Sequence, residues 1–170
     1  ISSSGLPVVV GITGASGAIL AKTTIDLLLK KGHSVIATAS SAARMVWREE
    51  MDESFGVAIE RWKDDGDFSY QAVGDLSAQI SSGTFSTAGM AIVPCSMASV
   101  AAIAHGLADN LIRRAADVSL KERRPLVLVI RETPLNSIHL RNMASLAEMG
   151  ATILPPVPAF YLGHKTIEDI

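Results

Sequence analysis

The chain contains a glycine-rich segment, Gly11–Gly17 (GITGASG), that directly follows an apolar run and is suited to binding an anion. Glycines at such a turn allow positive φ and a close backbone approach, and the start of a following helix offers free N–H groups. Thr13 and Ser16 add hydroxyl donors. The spacing is GxxGxxG, which differs from the dinucleotide GxGxxG pattern and lacks the lysine of a nucleoside-triphosphate loop. We interpret it as an anion or nucleotide pocket; the alternative is a turn needed only for packing.

Two further segments place hydroxyl groups after apolar runs. Pro94–Ser99 (PCSMAS) predicts a second helix start able to hold an anion, and Ser40-Ser41 follows another apolar run. Either serine of that pair serves as a helix cap or as a ligand, and position alone does not decide between them. Cys95 is a possible nucleophile at a helix N-terminus, but a small buried residue is the favoured interpretation because no histidine lies nearby in sequence.

Arg131 and Glu132 form a charged pair directly after the apolar run LVLVI. An arginine there can hold a phosphate or carboxylate bidentately, and a glutamate there can transfer a proton. The alternative is a structural ion pair at the edge of a sheet. Nearer the end of the chain, a proline-rich segment delivers Phe160 and Tyr161, which could wall an apolar substrate or pack on a neighbouring subunit.

The elements that must position these residues alternate between strands and helices. The predicted strands are Pro7–Thr13, Val35–Ala39, Gly89–Val93, Leu126–Ile130 and Ala151–Leu154. The predicted helices are Ala18–Lys31, Ser41–Glu50, Ser96–His105, Asp109–Lys121 and Asn136–Met149, the last with Thr133 as N-cap and Pro134 at the first helical position. Met51–Thr84 shows no clean period. This order predicts an α/β fold with three layers, in which a mostly parallel sheet is covered by helices on both faces and binds ligands beyond the carboxyl ends of its strands.

Length and composition exclude several classes of protein. A chain of 170 residues forms one domain, here expected over residues 1–170, with a C-terminal helix truncated after the turn that begins at Thr166. A net charge of −2 without charge blocks argues against a nucleic-acid partner, and the longest apolar runs are too short for a membrane span. Cys95 is the only cysteine, so no disulfide forms within the chain, which favours a reducing compartment. No cluster of residues has the spacing of metal ligands.

Five segments together resemble the UbiX-type flavin prenyltransferases, formerly described as phenylacrylic or aromatic acid decarboxylase subunits and grouped with the homo-oligomeric flavin-containing Cys decarboxylases. They cover nearly the whole chain: Gly11–Ala18, Ile80–Phe85, Pro94–Ser99, Asn110–Met143 and Gly150–Tyr161. The string RAADV…KERRPLVLV followed by RETPL and PPVPAFY is the most specific part. The resemblance is thin between Val46 and Gln79.

The resemblance implies a Rossmann-like or flavodoxin-like fold and a transferase that binds FMN without a metal. The family joins a dimethylallyl group from dimethylallyl monophosphate to N5 and C6 of reduced FMN. Its product, prenylated FMN, serves a separate UbiD-type decarboxylase in aromatic acid decarboxylation. The resemblance also implies a homo-dodecamer with active sites between subunits, located in the cytoplasm, or in the mitochondrion of a eukaryote.

Site residues are carried over from the family's motifs. Glu132 is expected to be the catalytic acid and base, and Ser16 to hydrogen-bond near the flavin N5. The residues expected to bind the flavin are Gly14, Ala15, Ser16, Ser40, Ser96, Met97, Ala98, Ser99 and Arg131. Those expected to bind the allylic phosphate or to line its pocket are Ser82, Gly83, Arg114, Lys121 and Tyr161.

The sequence departs from the family pattern at two points. A family arginine of the C-terminal helix falls beyond Ile170, and Ala37–Ser41 replaces a more apolar strand and a lysine common in relatives. Two other functions share the same pocket residues: an FMN-dependent cysteine decarboxylase and a non-catalytic FMN-binding subunit. The first typically carries a PASANT-like loop where this chain has PCSMAS, and the second has no use for Arg114, Lys121, Glu132 and Tyr161.

Overall fold

The computed structural model describes residues 5–163, 165, 166 and 169 and contains a single parallel sheet within that part of the chain. The strands are β1 Val8–Ile12, β2 Val35–Ala39, β3 Phe68–Tyr70, β4 Gly89–Cys95, β5 Leu126–Ile130 and β6 Thr152–Ile153. The helices are α1 Ala18–Lys30, α2 Ser41–Glu50, α3 Phe55–Asp65, α4 Met97–Ala104, α5 Leu111–Lys121 and α6 Ser137–Glu148, with short 3-10 turns at Gln79–Ser81 and Phe160–Leu162. Among the described residues no helix is both long and apolar enough to cross a membrane.

The strand order is β3-β2-β1-β4-β5-β6, with every neighbouring pair parallel. The chain builds one half of the sheet outward from β1 and then returns to build the other half outward from β4. The three-layer α/β fold predicted from the sequence is therefore confirmed. The crevice between the carboxyl ends of β1 and β4, where the order reverses, is the place at which such sheets bind ligands.

Two cores cover the two faces of the sheet because successive strand residues point to opposite sides. On β1, Val9 packs into a core with α4, α5 and α6, whereas Val10 and Ile12 pack into a core with α1, α2 and α3. Trp47 and Trp62 are fully buried in the second core, in edge-to-face contact with each other. Both tryptophans thus belong to the core.

The structure corrects two expectations about elements. The segment Met51–Thr84 contains α3 and β3, because Ser54 caps a helix whose Phe55, Ile59 and Trp62 share one buried face. Helix α6 begins later than expected: Asn136, not Thr133, is the N-cap. Its side chain accepts from the backbone N–H of His139, whose ring in turn accepts from the Asn136 N–H. The further helix expected at Thr166–Ile170 falls partly outside the described residues.

A carboxylate on α1 joins α1 to α3. Asp26 accepts hydrogen bonds from Lys22 Nζ at 2.6 Å, Arg61 Nη1 at 3.1 Å and Trp62 Nε1 at 2.6 Å. Burial raises the pKa of Asp26, but these three hydrogen bonds and the charge of Arg61 outweigh it, so the pKa lies below the 3.8 of a free aspartate. The ionised form therefore stabilises the packing of the two helices.

We expect Asp26→Asn to lower the free energy of unfolding at pH 7 by about 1–2 kcal/mol, because the amide replaces charge-assisted acceptors with weaker ones. A folded-state pKa below 3.8 means that the contribution is present above that pH and is lost as the pH falls through the folded-state value. Urea unfolding of both proteins at pH 7 and in a series below pH 4 measures this. A difference between them that stays constant down to pH 2 would contradict an electrostatic origin.

Candidate functional site

Three turns meet at the reversal between β1 and β4 and enclose a cavity of about 290 Å³. They are the β1–α1 turn, the start of α2 after β2 and the start of α4 after β4; the first turn of α5 closes the cavity. The lining residues are Thr13, Gly14, Ser40, Ala42, Ser96, Ala98, Ser99, Asn110, Ile112 and Arg113. The set combines hydroxyls, helix N-termini and one cation, which is the chemistry of an anion site.

Thr13 holds two of these turns together. Its buried hydroxyl donates to the Pro94 carbonyl at 2.7 Å and accepts from the Ser96 N–H at 2.8 Å. The sequence suggested this hydroxyl as a ligand donor, but both its donor and an acceptor site are used inside the protein. Thr13 therefore positions the start of α4 relative to the β1–α1 turn.

Gly14 allows α2 to approach that turn closely. A Cβ on Gly14 would lie 2.5 Å from the Cβ of Ala42, closer than two carbon atoms can pack. Three residues on, Gly17 has a φ of 114°, a conformation that other residues rarely adopt. The two glycines of the turn are thus required by close approach and by backbone conformation respectively. Ala15 lies half-buried between Gly14 and Ser16.

The carboxylate of Glu50 caps helix α1 from a distant position in the chain. Its oxygens accept from the Ser16 hydroxyl at 2.5 Å and from the N–H groups of Gly17 and Ala18 at 2.9 and 2.8 Å. Burial raises the pKa of Glu50, but the Ser16 and backbone hydrogen bonds and the charge of Arg131 together bring the pKa below its usual value. Glu50 is therefore ionised at neutral pH and in direct contact with Ser16.

Arg131, which directly follows β5, also contacts Ser16. Its Nε donates to the Ser16 carbonyl at 3.2 Å, across the intervening strand β4. Glu132, the next residue, is exposed, and its Oε1 accepts from its neighbour Thr133 N at 3.2 Å. Among the described residues, no hydrogen bond joins Glu132 to Ser16 or Arg131. The structure thus brings Ser16, Glu50 and Arg131 together, with Glu132 at the open edge of the group.

The remaining predicted flavin residues cap the helices around the cavity. Ser40 accepts from Ala43 N at 3.0 Å, and Ser96 accepts from Ser99 N at 3.3 Å while its hydroxyl donates to that of Ser99 at 3.1 Å. Ala98 is exposed, whereas the Met97 side chain packs into the core. Met97 therefore offers the cavity only its backbone.

Cys95 is a small buried residue, as the favoured interpretation of the sequence predicted. It is fully buried, and that burial raises the pKa of its thiol to about 12. A thiol in this state is a poor nucleophile.

Four of the five residues predicted for the allylic phosphate, Ser82, Gly83, Arg114 and Lys121, form a second group on the side of the sheet where β5 begins. Lys121 ends α5, shortly before β5 begins, whereas Glu132 follows the carboxyl end of β5. Lys121 pairs with Glu122, and Gly83 lies against that pair. Within one chain, Lys121 and Glu132 are therefore separated by the length of a strand, about 16 Å for five residues.

A loop next to Lys121 is held by two arginines. Arg114 Nε donates to the Ser81 carbonyl at 3.0 Å, and Arg124 donates to the carbonyls of Phe85 and Gly83 at 2.7 and 2.6 Å. The Ser82 hydroxyl shares a 2.9 Å hydrogen bond with that of Thr84. With its carbonyls turned to the arginines, the loop presents hydroxyl groups to solvent.

Tyr161 joins neither group within the chain. It lies on the final 3-10 turn with 89% of its surface exposed, beside Phe160 at 83%. No group of His, Cys, Asp and Glu among the described residues could hold a metal ion.

Three residues of these groups were missed from the sequence: Glu50, Arg113 and Arg124. Glu50 ends a predicted helix in a row of acidic residues, and Arg113 precedes the predicted Arg114. No local pattern distinguishes them from solvated surface charges, because each acquires its role from a partner distant in sequence or from a cavity. For Arg124, the one available signal is its place beside Pro125, directly before a strand.

A parallel sheet whose strand order reverses beside a crevice lined by hydroxyls, helix N-termini and one cation is typical of α/β proteins that bind a phosphorylated nucleotide or flavin. A profile of the flavoprotein family matches residues 2–170. The flavin prenyltransferase UbiX of Archaeoglobus fulgidus is 46% identical over 166 residues, covering 95% of this chain and 86% of its own. That of Halalkalibacterium halodurans is 44% identical, covering 95% and 81%. The chain belongs to the flavoprotein family and, within it, to the UbiX-type flavin prenyltransferases.

Solved structures agree with this assignment. AnUbiX (PadA1), crystallised with FMN and dimethylallyl pyrophosphate, has a TM-score of 0.88 and 43% identity over 96% of this chain and 85% of its own. A dodecameric FMN-dependent UbiX-like decarboxylase from Escherichia coli O157:H7 has the same TM-score and 41% identity over 96% and 87%. The cypemycin decarboxylase CypD, at 18% identity and a TM-score of 0.70 over 89% and 84%, shows the shared fold alone.

We expect Gly14→Ala to destabilise the protein by about 2 kcal/mol or more, because α2 must move away from the β1–α1 turn. Gly56→Ala is the matched control: a Cβ there meets nothing within 4 Å, so we expect a change below about 1 kcal/mol. Thermal and urea unfolding measure both. Equal stability of the two variants would show that Gly14 and Ala42 do not restrict each other.

Proposed function

We propose that this chain is a flavin prenyltransferase that joins a dimethylallyl group to N5 and C6 of reduced FMN. The observation that carries the proposal is the Ser16, Glu50 and Arg131 group at the mouth of a phosphate-suited crevice. The relatives at 41–46% identity support it, one of them crystallised with both FMN and an allylic diphosphate. Dimethylallyl monophosphate is the donor we propose.

The crevice residues fit the phosphate end of FMN. The N-terminus of α4, the hydroxyls of Ser40, Ser96 and Ser99 and a guanidinium line a cavity of about 290 Å³, a volume suited to a ribityl phosphate rather than to a whole flavin. The ring system would then extend from the cavity over the Gly14–Ser16 turn toward Arg131. When bound, the reduced flavin supplies the nucleophilic atoms to which the allyl group is joined.

The chain's own residues then hold and move protons. Glu50 is ionised, and it orients the Ser16 hydroxyl by accepting its proton in a hydrogen bond, so that the Ser16 oxygen is free to accept from a ring N–H. Glu132 is proposed as the acid and base that takes protons released from the flavin and passes one to the departing phosphate. Arg131 fixes the backbone of Ser16 and adds positive charge beside Glu50.

The donor's phosphate is proposed to lie on Arg114, Lys121 and Tyr161, with the Ser82-Gly83 loop beside it. Cations and hydroxyls there would stabilise the phosphate as the allylic bond ionises. Lys121 lies near the amino end of β5 and Glu132 follows its carboxyl end. Because one strand length separates them, we propose that a complete site takes Lys121 from one copy and Glu132 from another.

Exposed apolar surface supports assembly into a homo-oligomer, proposed as a dodecamer like the Escherichia coli relative. A groove of about 390 Å³ lies between α1 and the segment 154–157, and Val157, Phe160 and Tyr161 are each more than 70% exposed nearby. We further propose a UbiD-type decarboxylase as recipient of prenylated FMN, and a cytoplasmic location, or a mitochondrial one in a eukaryote.

The direct test is anaerobic incubation of the protein with reduced FMN and dimethylallyl monophosphate, followed by mass analysis of the released flavin. We expect the flavin to gain one C5H8 unit. Parallel incubation with the diphosphate tests the choice of donor. Unmodified FMN with both donors, released from a protein that binds it tightly, would favour a binding-only or cysteine-decarboxylase role.

We expect Glu132→Gln to retain FMN and to lower the turnover rate at least about 100-fold, because the amide cannot transfer a proton. Glu148→Gln, a change of the same kind on an exposed helix end, serves as the control. The measurement is the rate of prenylated flavin formation at saturating donor. An unaltered rate in the Glu132 variant would remove this residue from the mechanism.

A composite site predicts complementation between two inactive variants. If Lys121→Met and Glu132→Gln chains are co-expressed and assemble at random, about one quarter of the sites carry both native residues. We expect a matching fraction of wild-type activity from the mixed oligomer and none from either variant alone. No activity in an oligomer shown by mass spectrometry to be mixed would place both residues in one chain's site.

A further inference from the structure

Arg113 is a cation at the flavin crevice whose hydrogen-bonding capacity is incompletely used. It lies in the first turn of α5 and lines the cavity of about 290 Å³ together with Ser40, Ser96 and Ser99. Its Nε is buried and has no hydrogen-bond partner among the described residues. A buried N–H of a guanidinium without an acceptor is unfavourable and favours an acceptor oxygen that the described residues do not supply.

The orientation of Arg113 is set by the start of its helix. The side chain of Asn110 caps α5 by accepting from the Arg113 N–H at 3.0 Å. The exposed carboxylate of Asp109 accepts from Arg113 Nη1 at 2.7 Å. Asp109 thus engages Nη1, whereas Nε has no acceptor within the described residues, so the guanidinium retains a free donor beside the cavity that Arg113 lines.

The neighbouring groups favour an anion as that ligand. The N-terminus of α4 and the hydroxyls of Ser96 and Ser99 line the same cavity, and no carboxylate is among its lining residues. The other buried side-chain atoms without a partner among the described residues, Thr38 Oγ1 and Gln71 Oε1, do not line it. Arg113 is therefore the positive charge of the crevice, and a phosphate ester is the ligand that its planar donors match.

We infer that Arg113 binds the phosphate of the flavin and so selects FMN over flavins that lack a phosphate. The inference rests on the proposed function only in taking a flavin as the ligand of the crevice. Arg114, one residue later, has a different role, since its guanidinium donates to the Ser81 carbonyl and to Asp117.

The test compares the affinities of FMN and riboflavin, which differ only in the phosphate. Dissociation constants of both oxidised flavins are measured by fluorescence quenching for the wild type and for Arg113→Gln, Arg113→Lys and Arg123→Gln. Arg123 is the matched control, because it is exposed, its backbone N–H donates to the Leu120 carbonyl, and its side chain has no hydrogen bond or ion pair within the described part of the chain.

We expect Arg113→Gln to weaken FMN binding about 10-fold or more and to change riboflavin binding less than about 2-fold, since only the charge-assisted hydrogen bond to phosphate is lost. Arg113→Lys should recover part of the loss because it retains the charge. The salt dependence of FMN binding should decrease in Arg113→Gln, and Arg123→Gln should match the wild type. Thermal unfolding without flavin checks that each variant is folded.

Equal weakening of FMN and riboflavin, or no weakening of either, would overturn the inference. A wild-type protein that binds neither flavin would overturn the proposed function and the inference together. A wild type that binds FMN through Arg113 but does not prenylate it would leave the inference standing and remove the proposed function.

Discussion

The reversal of strand order between β1 and β4 is the constraint on which the rest of the molecule depends. Because the chain leaves β1 on one face and β4 on the other, the helices that follow diverge and leave a crevice between them. The Pro94 carbonyl and the Ser96 N–H beside this crevice need hydrogen-bond partners, and the Thr13 hydroxyl serves both. It thereby joins the β1–α1 turn to the start of α4. The two turns that this junction joins carry Gly14–Ser16 and Ser96–Ser99, which are most of the groups proposed to touch the flavin.

Most of the fold could be predicted because its signals are local. β1, β2 and β5 are short runs of β-branched and aliphatic residues, and α1 is followed by a glycine at positive φ. Helix α3 was missed although Phe55, Ile59 and Trp62 have helical spacing, because Gly56 disfavours a helix and five of the last six residues of the helix are charged, which obscures the apolar period. β3 has three residues, too few for a period to be recognised.

The site was predictable only where a motif is contiguous. The Gly14–Ser16 turn and the Ser96–Ser99 cap were found from local sequence, whereas Glu50 lies 34 residues from Ser16 and Arg131 lies 115 residues from it. Contacts of that kind follow from strand order, which no single segment encodes. The resemblance to a family supplied Lys121 and Tyr161, and the structure adds that Lys121 and Glu132 lie at opposite ends of β5.

The capping of α1 by Glu50 has a consequence for the order in which the protein acquires structure. Helices α2 to α6 are capped by residues at their own N-termini, which are available as soon as the segment is synthesised. The amino end of α1 instead gains its acceptor only when α2 has been completed and has docked. A nascent chain that ends before Glu50 therefore lacks the carboxylate that organises the glycine turn, so flavin capture at that turn follows, rather than guides, the folding of β1, α1, β2 and α2.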